Sequence, residues 1–253
     1  MSIREYASYL KLPYIKENYS ECIKEAKMND MDYEGFLEEV LRNEANMRFS
    51  NGVKHRIKQA HFPYQMILND YDRTHLSTEL RLKIKELETL EFIDNKENII
   101  LIGNPGTGKT ALSVALGTKA CQENKSVLFI SVPTLLIELK EAMSLNEVSQ
   151  YKKRFEKYDL VILDELGYCS FDQERGETLF NLLSNRNDKG AMIITSNLTF
   201  DRWEEIFRDK VLTGAIIDRL AYKSHLINMT GQSYRIIATK KWNEKNRKGK
   251  TNE

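Results

Sequence analysis

A glycine-rich loop, with a strand pattern before it and a helix pattern after it, constrains the fold of this chain most strongly. Residues Gly103 to Thr110 read GNPGTGKT and fit the phosphate-binding pattern G-x-x-x-x-G-K-[ST] at every required position. The run Asn98–Ile102 is apolar and rich in β-branched residues, and Thr110–Cys121 carries small and apolar residues at helical spacing. The order strand, glycine loop, helix predicts a nucleotide-phosphate site in an α/β fold.

The loop also predicts roles for individual side chains. Its backbone N–H groups would wrap a polyphosphate, and the N-terminus of the following helix would add its positive dipole end. Lys109 would reach the β- and γ-phosphates, and the Thr110 hydroxyl would ligate Mg²⁺. We therefore expect ATP and Mg²⁺ as cofactors. The residues expected to bind the nucleotide form one continuous stretch: Gly103, Asn104, Pro105, Gly106, Thr107, Gly108, Lys109, Thr110 and Ala111.

The composition is that of a globular protein without a membrane segment. Of the 253 residues, 41% are hydrophobic and 30% are charged, and no apolar run approaches the roughly 18 to 20 residues of a membrane span. The first residues lack the apolar core of a secretion signal. Cys22, Cys121 and Cys169 have neither metal-ligand nor redox spacing. We therefore expect a cytoplasmic protein that does not bind membranes.

The net charge of +1 says little about partners, but the charge is unevenly distributed. Five Lys or Arg residues and one acid lie between Arg42 and His61, and seven Lys or Arg residues and one acid lie between Arg235 and Lys250. Such segregation suits a polyanion such as DNA, and it equally suits a solvated end of the chain.

The pattern of the chain changes near residue 98. Helical spacing, as in Tyr33–Arg48, dominates before it, and Leu76–Phe92 reads as an amphipathic helix that leads into the first strand. After it, strands alternate with helices, which is typical of a parallel sheet with crossover helices. The predicted division is a helical N-terminal domain at 1–68, a linker with a joining helix at 69–97, an α/β domain at 98–240 and a basic tail at 241–253.

Four strands and three helices are predicted within the α/β domain. The strands are Asn98–Ile102, Ser126–Ser131, Leu160–Asp164 and Ala191–Ser196. The helices are Thr110–Gln122, Thr134–Met143 and Glu174–Arg186. Ligands of such sheets bind at the carboxyl ends of the strands, and the glycine loop is predicted at this edge.

The strand that starts at Leu160 ends in the adjacent carboxylates Asp164 and Glu165. After a phosphate loop, this pattern is typical of a Walker B element. Asp164 would hold Mg²⁺, and Glu165 would polarise the attacking water as general base. An apolar strand that ends in Asp-Glu is common by itself, so the interpretation depends on the preceding loop.

Three further polar side chains have two interpretations each. Asn197 follows the strand Ala191–Ser196 and would either aim the attacking water or form a turn. Arg219 lies in an apolar helical pattern and would either pair with a neighbouring acid or reach the γ-phosphate of a neighbouring subunit. Arg235 would either sense a phosphate or belong to the basic tail. Spacing alone does not decide between these alternatives.

Several stretches together make the chain resemble an AAA+ ATPase of the branch that contains IstB and DnaC. They are Asp164–Tyr168 (DELGY), Thr195–Leu198 (TSNL) with Trp203 downstream, Ile217–Leu220 (IDRL) and Gly231–Arg235 (GQSYR). Leu10–Pro13 (LKLP) is similar to the N-terminal L-x-L-P opening of the IstB-like family, the ATP-binding helper proteins of insertion-sequence transposition. The resemblance covers nearly the whole chain.

This resemblance implies a P-loop AAA+ three-layer sandwich preceded by a small all-α domain. It also implies that Asn197 is sensor 1, Arg219 the arginine finger and Arg235 a sensor-2-type arginine. Subunits of such proteins bind ATP between them, so the resemblance implies a head-to-tail homo-oligomer. The implied partners are duplex DNA and an IstA-like transposase, and the implied activity is ATP hydrolysis.

Other functions share part of this pattern. A DnaC-type helicase loader would have the same ATPase residues and a different partner for its N-terminal domain. A DNA-binding module with a static ATP site would not need both Asp164 and Glu165. A small-molecule kinase would share the glycine loop, but no lid for an acceptor is visible in the sequence.

A helical insertion at Pro133–Tyr158 is implied to face DNA, as it does in initiator-type relatives. Its run Tyr151–Phe155 interleaves basic and aromatic residues, as phosphate-contacting surfaces often do. Tyr151 and Phe155 also have the i,i+4 spacing of a helix face that packs inward, which would leave the basic residues solvated. The run Arg42–Lys58 is a second candidate for DNA contact.

Overall fold

A computed structural model describes residues 1–167, 171, 173–231, 233–236, 239, 240 and 242. Three predicted features lie wholly or partly outside these residues: Tyr168 of the Asp164–Tyr168 element, Gln232 of the Gly231–Arg235 element, and the tail 241–253 except Trp242. The chain forms two compact units, residues 1–56 and residues from 57 onward. Residues 57–68, which the sequence assigned to the N-terminal domain, belong to the second unit.

The first unit is helical, as predicted. Its elements are α1 (Ile3–Tyr9), α2 (Pro13–Met28) and the larger part of α3 (Tyr33–Gln59). A capping box starts α1: the Ser2 hydroxyl accepts from the Glu5 N–H, and the Glu5 carboxylate accepts from the Ser2 N–H. Helix α2 starts with Pro13, whose fixed φ suits the first helical position. The predicted L-x-L-P element, Leu10–Pro13, comprises the turn after α1 and the first residue of α2.

The second unit is built around a five-stranded parallel sheet with strand order β2-β3-β4-β1-β5. The strands are β1 (Asn98–Ile102), β2 (Val127–Ser131), β3 (Leu160–Leu166), β4 (Ala191–Ser196) and β5 (Ser224–Asn228). The predicted α/β fold class is therefore confirmed. The ends of β1 and β4 agree with the prediction. Strand β2 begins one residue later than predicted, and β3 ends two residues later than predicted. Strand β5 was not predicted.

Helices cover both faces of the sheet and make three layers. The helices of this unit are α4 (Thr78–Leu87), α5 (Glu91–Asp94), α6 (Lys109–Gln122), α7 (Val132–Ser144), α8 (Val148–Glu156), α9 (Gln173–Arg186), α10 (Glu204–Phe207) and α11 (Lys210–Ala221). Successive strand residues point to opposite faces, so Ile99 and Leu101 pack with α4–α6, whereas Ile100 and Ile102 pack with the layer of α7–α11.

The prediction of one continuous joining helix at Leu76–Phe92 is wrong, because the structure has two helices, α4 and α5, in this region. Helix α4 ends at Leu87, and Leu90 takes a left-handed conformation with φ 64° before α5 begins. The Leu90 side chain is buried together with Phe92 and Ile93. Burial of these three side chains on the sheet stabilises the break in the helix.

Residues just after α3 cover the β2 edge of the sheet. The Phe129 N–H of β2 donates to the Ala60 carbonyl at 2.8 Å, and the Phe62 ring packs edge-on against Phe129 with centroids 6.3 Å apart. Phe62 also lies beside Gly117 of α6, where a Cβ would come within 2.8 Å of its ring. This segment therefore packs as part of the α/β unit and satisfies a donor on an edge strand.

Candidate nucleotide site

The glycine loop joins the carboxyl end of β1 to the N-terminus of α6. Gly106 and Gly108 have φ of 80° and 92°, a region that side chains with a Cβ rarely enter. A Cβ on Gly106 would also lie 2.1 Å from the Ser233 hydroxyl oxygen. The backbone conformation therefore favours glycine at both positions, and the close approach of Ser233 adds a second reason at Gly106.

The Lys109 ammonium lies inside the loop. It donates to the carbonyl oxygens of Gly103 at 2.6 Å and of Asn104 at 2.8 Å. Burial lowers the pKa of Lys109 and the nearby Arg235 adds to this, while Asp164 acts in the opposite direction. The predicted loop residue Thr107 is also buried, and its hydroxyl donates to the Asn104 carbonyl at 2.9 Å.

Thr110 and Asp164, the two predicted metal ligands, are in direct contact. The Thr110 hydroxyl lies 2.9 and 3.1 Å from the two carboxylate oxygens of Asp164, which is buried at the end of β3. A hydroxyl and a carboxylate are hard oxygen donors of the kind that Mg²⁺ takes in nucleotide sites. The two residues therefore fit a magnesium ion bound beside the phosphates.

Glu165 follows Asp164 at a bulge in β3. The residue has φ 66° and an exposed side chain that lines the same cavity as the loop. Its N–H donates to the Thr195 hydroxyl oxygen of β4 at 3.0 Å. At this bulge Asp164 is buried, whereas Glu165 is exposed and lines the cavity.

Asn197 lies one residue beyond the end of β4 and lines the cavity with Glu165. Its Oδ1 atom is buried, and no residue in the described part of the chain forms a hydrogen bond with it. A Cβ added to Gly167 would lie 2.2 Å from that atom, so the glycine leaves room for the carboxamide. A buried amide oxygen without a partner is costly in a folded protein, which indicates a position prepared for a bound polar group.

Arg235 reaches the cavity through the segment that follows β5. The Tyr234 N–H donates to the Gly106 carbonyl at 2.9 Å, and the Tyr234 hydroxyl donates to the Asp72 carbonyl at 3.2 Å. Both contacts hold the segment 233–236 against the glycine loop, and Arg235 lines the cavity beside Lys109.

The cavity has a volume of about 320 Å³ and contains residues that the sequence did not predict. Five of them come from the segment between α3 and α4, namely Tyr64, Met66, Asp70, Tyr71 and Asp72, and the other two are Thr195 of β4 and Tyr234. The Tyr71 hydroxyl is buried and forms no hydrogen bond with any residue that the structure describes, and a Cβ on Gly108 would lie 3.1 Å from it. A cluster of tyrosines and aspartates in a segment without helical or strand pattern was the only available signal.

The structure thus brings most predicted residues to one place. From the predicted stretch, Pro105, Gly106, Gly108, Lys109, Thr110 and Ala111 line the cavity, and Gly103 and Asn104 hold Lys109. Arg219 is different: it is exposed in the last turn of α11 and is not among the residues that line the cavity. The structure of one chain therefore gives Arg219 no role at the phosphates of its own site.

A comparison with protein families agrees with this geometry. The family model of IstB-like ATP-binding proteins matches residues 5–242. The chain belongs to this family. A relative named as an ATP-binding protein of insertion sequence IS21, from Pseudomonas aeruginosa, is 36% identical over 92% of this chain and 88% of its own length. One named for insertion sequence IS5376, from Geobacillus stearothermophilus, is 33% identical over 92% of this chain and 93% of its own length.

Solved structures show where the IstB-like fold belongs. The crystal structure of DnaI is similar with a TM-score of 0.55 and 26% identity, over 67% of this chain and 90% of that chain. The DnaC helicase loader has a TM-score of 0.56 and 19% identity, over 64% of this chain and 95% of that chain. AMPPCP-bound DnaA from Aquifex aeolicus has a TM-score of 0.56 and 17% identity, over 67% of this chain and 51% of that chain. The predicted P-loop AAA+ fold and the IstB-like resemblance are therefore confirmed.

Two further findings concern the part of the chain that the structure describes. None of its helices is both long enough and apolar enough to cross a membrane. It contains no group of three or more His, Cys, Asp or Glu side chains placed to hold a metal ion by themselves. A metal held by Thr110 and Asp164 would accordingly need ligands from the nucleotide or from water, as Mg²⁺ at phosphates usually has.

Proposed function

We propose that this protein is an ATP-hydrolysing, DNA-binding AAA+ protein that helps the transposase of an insertion sequence to prepare target DNA and to integrate. The observation that carries the ATPase part is the convergence of Thr110, Asp164, Glu165 and Asn197 at the cavity of the glycine loop. The part on transposition is supported by relatives that are named for insertion sequences and cover 92% of this chain.

Binding of ATP begins at the loop. Backbone N–H groups at residues 106–110 and the N-terminus of α6 surround the phosphates, and the Lys109 ammonium exchanges its two loop carbonyls for phosphate oxygens. Arg235, in the segment that Tyr234 holds against the loop, adds a second positive charge to the cavity. Thr110 and Asp164 would hold Mg²⁺, which would neutralise part of the phosphate charge.

Hydrolysis is assigned to the next pair of residues. Glu165 accepts a proton from the attacking water, because its carboxylate faces the cavity while Asp164 is buried beside Thr110. Asn197 orients that water through its carboxamide, whose oxygen has no partner within the described residues. The Asp-Glu pair favours water over a hydroxyl acceptor, which argues for an ATPase and against a small-molecule kinase.

Arg219 is proposed to act on the neighbouring subunit. It is exposed on α11, away from the cavity of its own chain, so it is available to complete another site. A contact of this kind joins two different surfaces and generates a head-to-tail ring or an open helix. ATP between subunits would then promote assembly, and hydrolysis would weaken it.

Contact with duplex DNA is assigned to charged residues of α8. Tyr151 and Phe155 are buried and their rings stack with centroids 6.5 Å apart, so these aromatics belong to the core. The Tyr151 hydroxyl donates to Glu138 of α7 at 2.8 Å. Lys153 and Arg154 are exposed, as phosphate contacts require. The run Arg42–Lys58 of α3 is a second candidate.

The choice of a transposase as partner is supported by how much of the chain each similarity covers. The loader structures match 64–67% of this chain, whereas the insertion-sequence relatives match 92%. A replicative helicase is the competing partner, because DnaI and DnaC have the same fold. A pull-down with an IstA-like transposase and with a replicative helicase distinguishes the two partners.

The activity itself is tested by phosphate release from ATP, with and without duplex DNA, at two salt concentrations, beside size-exclusion chromatography of the same samples. We expect DNA-stimulated turnover, ATP-dependent assembly, and weaker DNA binding at higher salt because phosphate contacts release counterions. Turnover that ignores DNA in a protein that stays monomeric would contradict the proposal.

A further inference from the structure

The bulge at the end of β3 places two residues of one strand opposite a single residue of the next. In the ladder between β3 and β4, Leu163 pairs with Ile194 and Leu166 pairs with Ser196. Asp164 and Glu165 lie between these two pairs on β3, and Thr195 alone lies between them on β4. A bulge of this kind redirects side chains and often lies next to an active site.

The Thr195 hydroxyl uses both of its hydrogen-bonding capacities on these two residues. It donates to Asp164 Oδ1 at 2.6 Å and accepts from the Glu165 N–H at 3.0 Å. The side chain is 2% exposed, so water does not replace either contact. A hydroxyl can donate and accept at once, which no apolar side chain of the same shape can do.

Both contacts hold arrangements that would not persist without them. Glu165 has φ 66°, a conformation that a residue with a Cβ keeps only when its surroundings enforce it. The Glu165 N–H, which donates to the Thr195 hydroxyl, anchors this conformation. The carboxylate of Asp164 is bound by two hydroxyls from different elements, Thr110 of α6 and Thr195 of β4. Its plane is therefore set before any ligand arrives.

We propose that Thr195 is a positioning residue that orients the carboxylates of Asp164 and Glu165 for hydrolysis. The inference rests on the proposed ATPase function, and it adds a residue that contacts neither the phosphates nor the water in that scheme. Through Asp164 the hydroxyl affects how Mg²⁺ strengthens nucleotide binding, and through the Glu165 backbone it affects the rate of the chemical step.

The test uses the full chain with Thr195→Val, Thr195→Ala and Thr195→Ser. Two quantities are measured: kcat and KM for ATP, and the Kd of a fluorescent ATP analogue with Mg²⁺ and with a chelator. For Val and Ala we expect kcat to fall at least about tenfold and the metal-free Kd to change less than about twofold. The gain in affinity on adding Mg²⁺ should shrink several-fold. Ser should restore both quantities to within about threefold, because the hydroxyl returns.

Thr213→Val is the matched control. Thr213 is a buried threonine of α11 whose hydroxyl donates to the Asp209 carbonyl at 2.6 Å, and it does not line the cavity. This variant should lower the melting temperature of the protein. Its kcat and its gain in nucleotide affinity on adding Mg²⁺ should equal those of the wild type. It separates the loss of a buried hydrogen bond from the loss of a positioning contact.

The possible outcomes are distinct. Three outcomes would each overturn the inference and leave Thr195 a packing residue. The first is a Thr195→Val variant with unchanged kcat and unchanged gain in affinity on adding Mg²⁺. The others are the absence of rescue by Thr195→Ser and the failure of both the Val and the Ala variants to fold. Absence of ATP hydrolysis in the wild-type protein would instead overturn the proposed function. The Mg²⁺ gain in the binding titration would still test Thr195 in that case.

Discussion

The Thr110 hydroxyl lies 2.9 Å from the nearer carboxylate oxygen of Asp164, although the two residues are 54 positions apart in the chain. Thr110 lies in the first turn of the helix after the glycine loop, and Asp164 lies near the carboxyl end of β3, two places across the sheet from β1. Their contact brings the two halves of a phosphate-and-metal site together. The predictions below follow from the side chains that surround it.

Glu165→Gln should retain ATP binding and lose hydrolysis. The amide keeps the size of the side chain but cannot accept a proton from water, so we expect turnover to fall about 10² to 10⁴-fold. Phosphate release and the Kd of a fluorescent ATP analogue check this. Glu204→Gln, at an exposed glutamate of α10, is the control. Near-normal turnover in Glu165→Gln would exclude Glu165 as the base.

Arg219→Ala should block hydrolysis by the adjacent subunit and leave nucleotide binding intact. An arginine finger contributes about 10³ to 10⁵ in rate, so the loss should be at least of that lower order. Lys210→Ala, on the same helix and also exposed, should behave like the wild type.

Mixing Arg219→Ala with Glu165→Gln tests the same contact in trans. The first variant supplies an intact cavity and the second supplies the arginine, so mixed assemblies should recover part of the turnover that each lacks alone. Assemblies that form from both chains and stay inactive would contradict a finger that acts between subunits.

Arg235→Ala should weaken ATP binding. A charge-assisted hydrogen bond contributes about 1.5 to 3 kcal/mol, which corresponds to a rise in Kd of about 10 to 100-fold. Arg235→Lys keeps the charge and should recover part of the affinity. Isothermal titration with ATP and with ADP measures the effect, and equal Kd values for the Ala variant and the wild type would place Arg235 outside the site.

Lys152→Ala with Lys153→Ala should reduce DNA affinity mainly at low salt. Each phosphate contact adds about 0.9 to the slope of log K against log salt, so the slope should fall by up to about two. Fluorescence anisotropy with duplex DNA over a salt series measures it. The paired control is Lys85→Ala with Lys96→Ala, two exposed lysines, one in α4 and one two residues before β1. An unchanged slope would move the DNA contact to another surface, with Arg42–Lys58 next to be tested.

Glu44→Ala should destabilise the N-terminal unit. Glu44 of α3 is 4% exposed, and its Oε2 accepts from the Ile15 N–H at 3.0 Å, in the first turn of α2. Helix α2 has no side-chain cap of its own, so Glu44 caps it from a distance. We expect a loss of about 1 to 2 kcal/mol.

Hydrogen exchange at the amides of α2 measures this locally, which suits a chain with two compact units. Glu44→Gln keeps an acceptor for Ile15 and should lose less than Glu44→Ala. Glu38→Ala, at an exposed glutamate of the same helix, is the control. Exchange in α2 that is equal in all variants would mean that Glu44 does not cap this helix.

The parts of the fold that the sequence predicted are those with strong local signals. Strands β1 and β4 are continuous apolar runs, and the glycine loop has a pattern with few alternatives. Strand β5 was missed because Ser224–Asn228 is short and mixed in polarity, as edge strands often are. It becomes a strand by pairing with β1, where Asn98 matches Ser224 and Ile102 matches Asn228.

By itself, the sequence determined the α/β class, the phosphate loop, the first four strands and the family, because each of these depends on short motifs of residues close together in the chain. Only the tertiary structure decided that Tyr71 and Asp72 border the cavity, that Tyr151 and Phe155 face the core, and that Thr195 binds both Asp164 and Glu165. Such contacts depend on which strands are neighbours and where a bulge falls. Hydrogen bonds between distant residues leave no periodic pattern in a single sequence, so they appear only when the chain is folded.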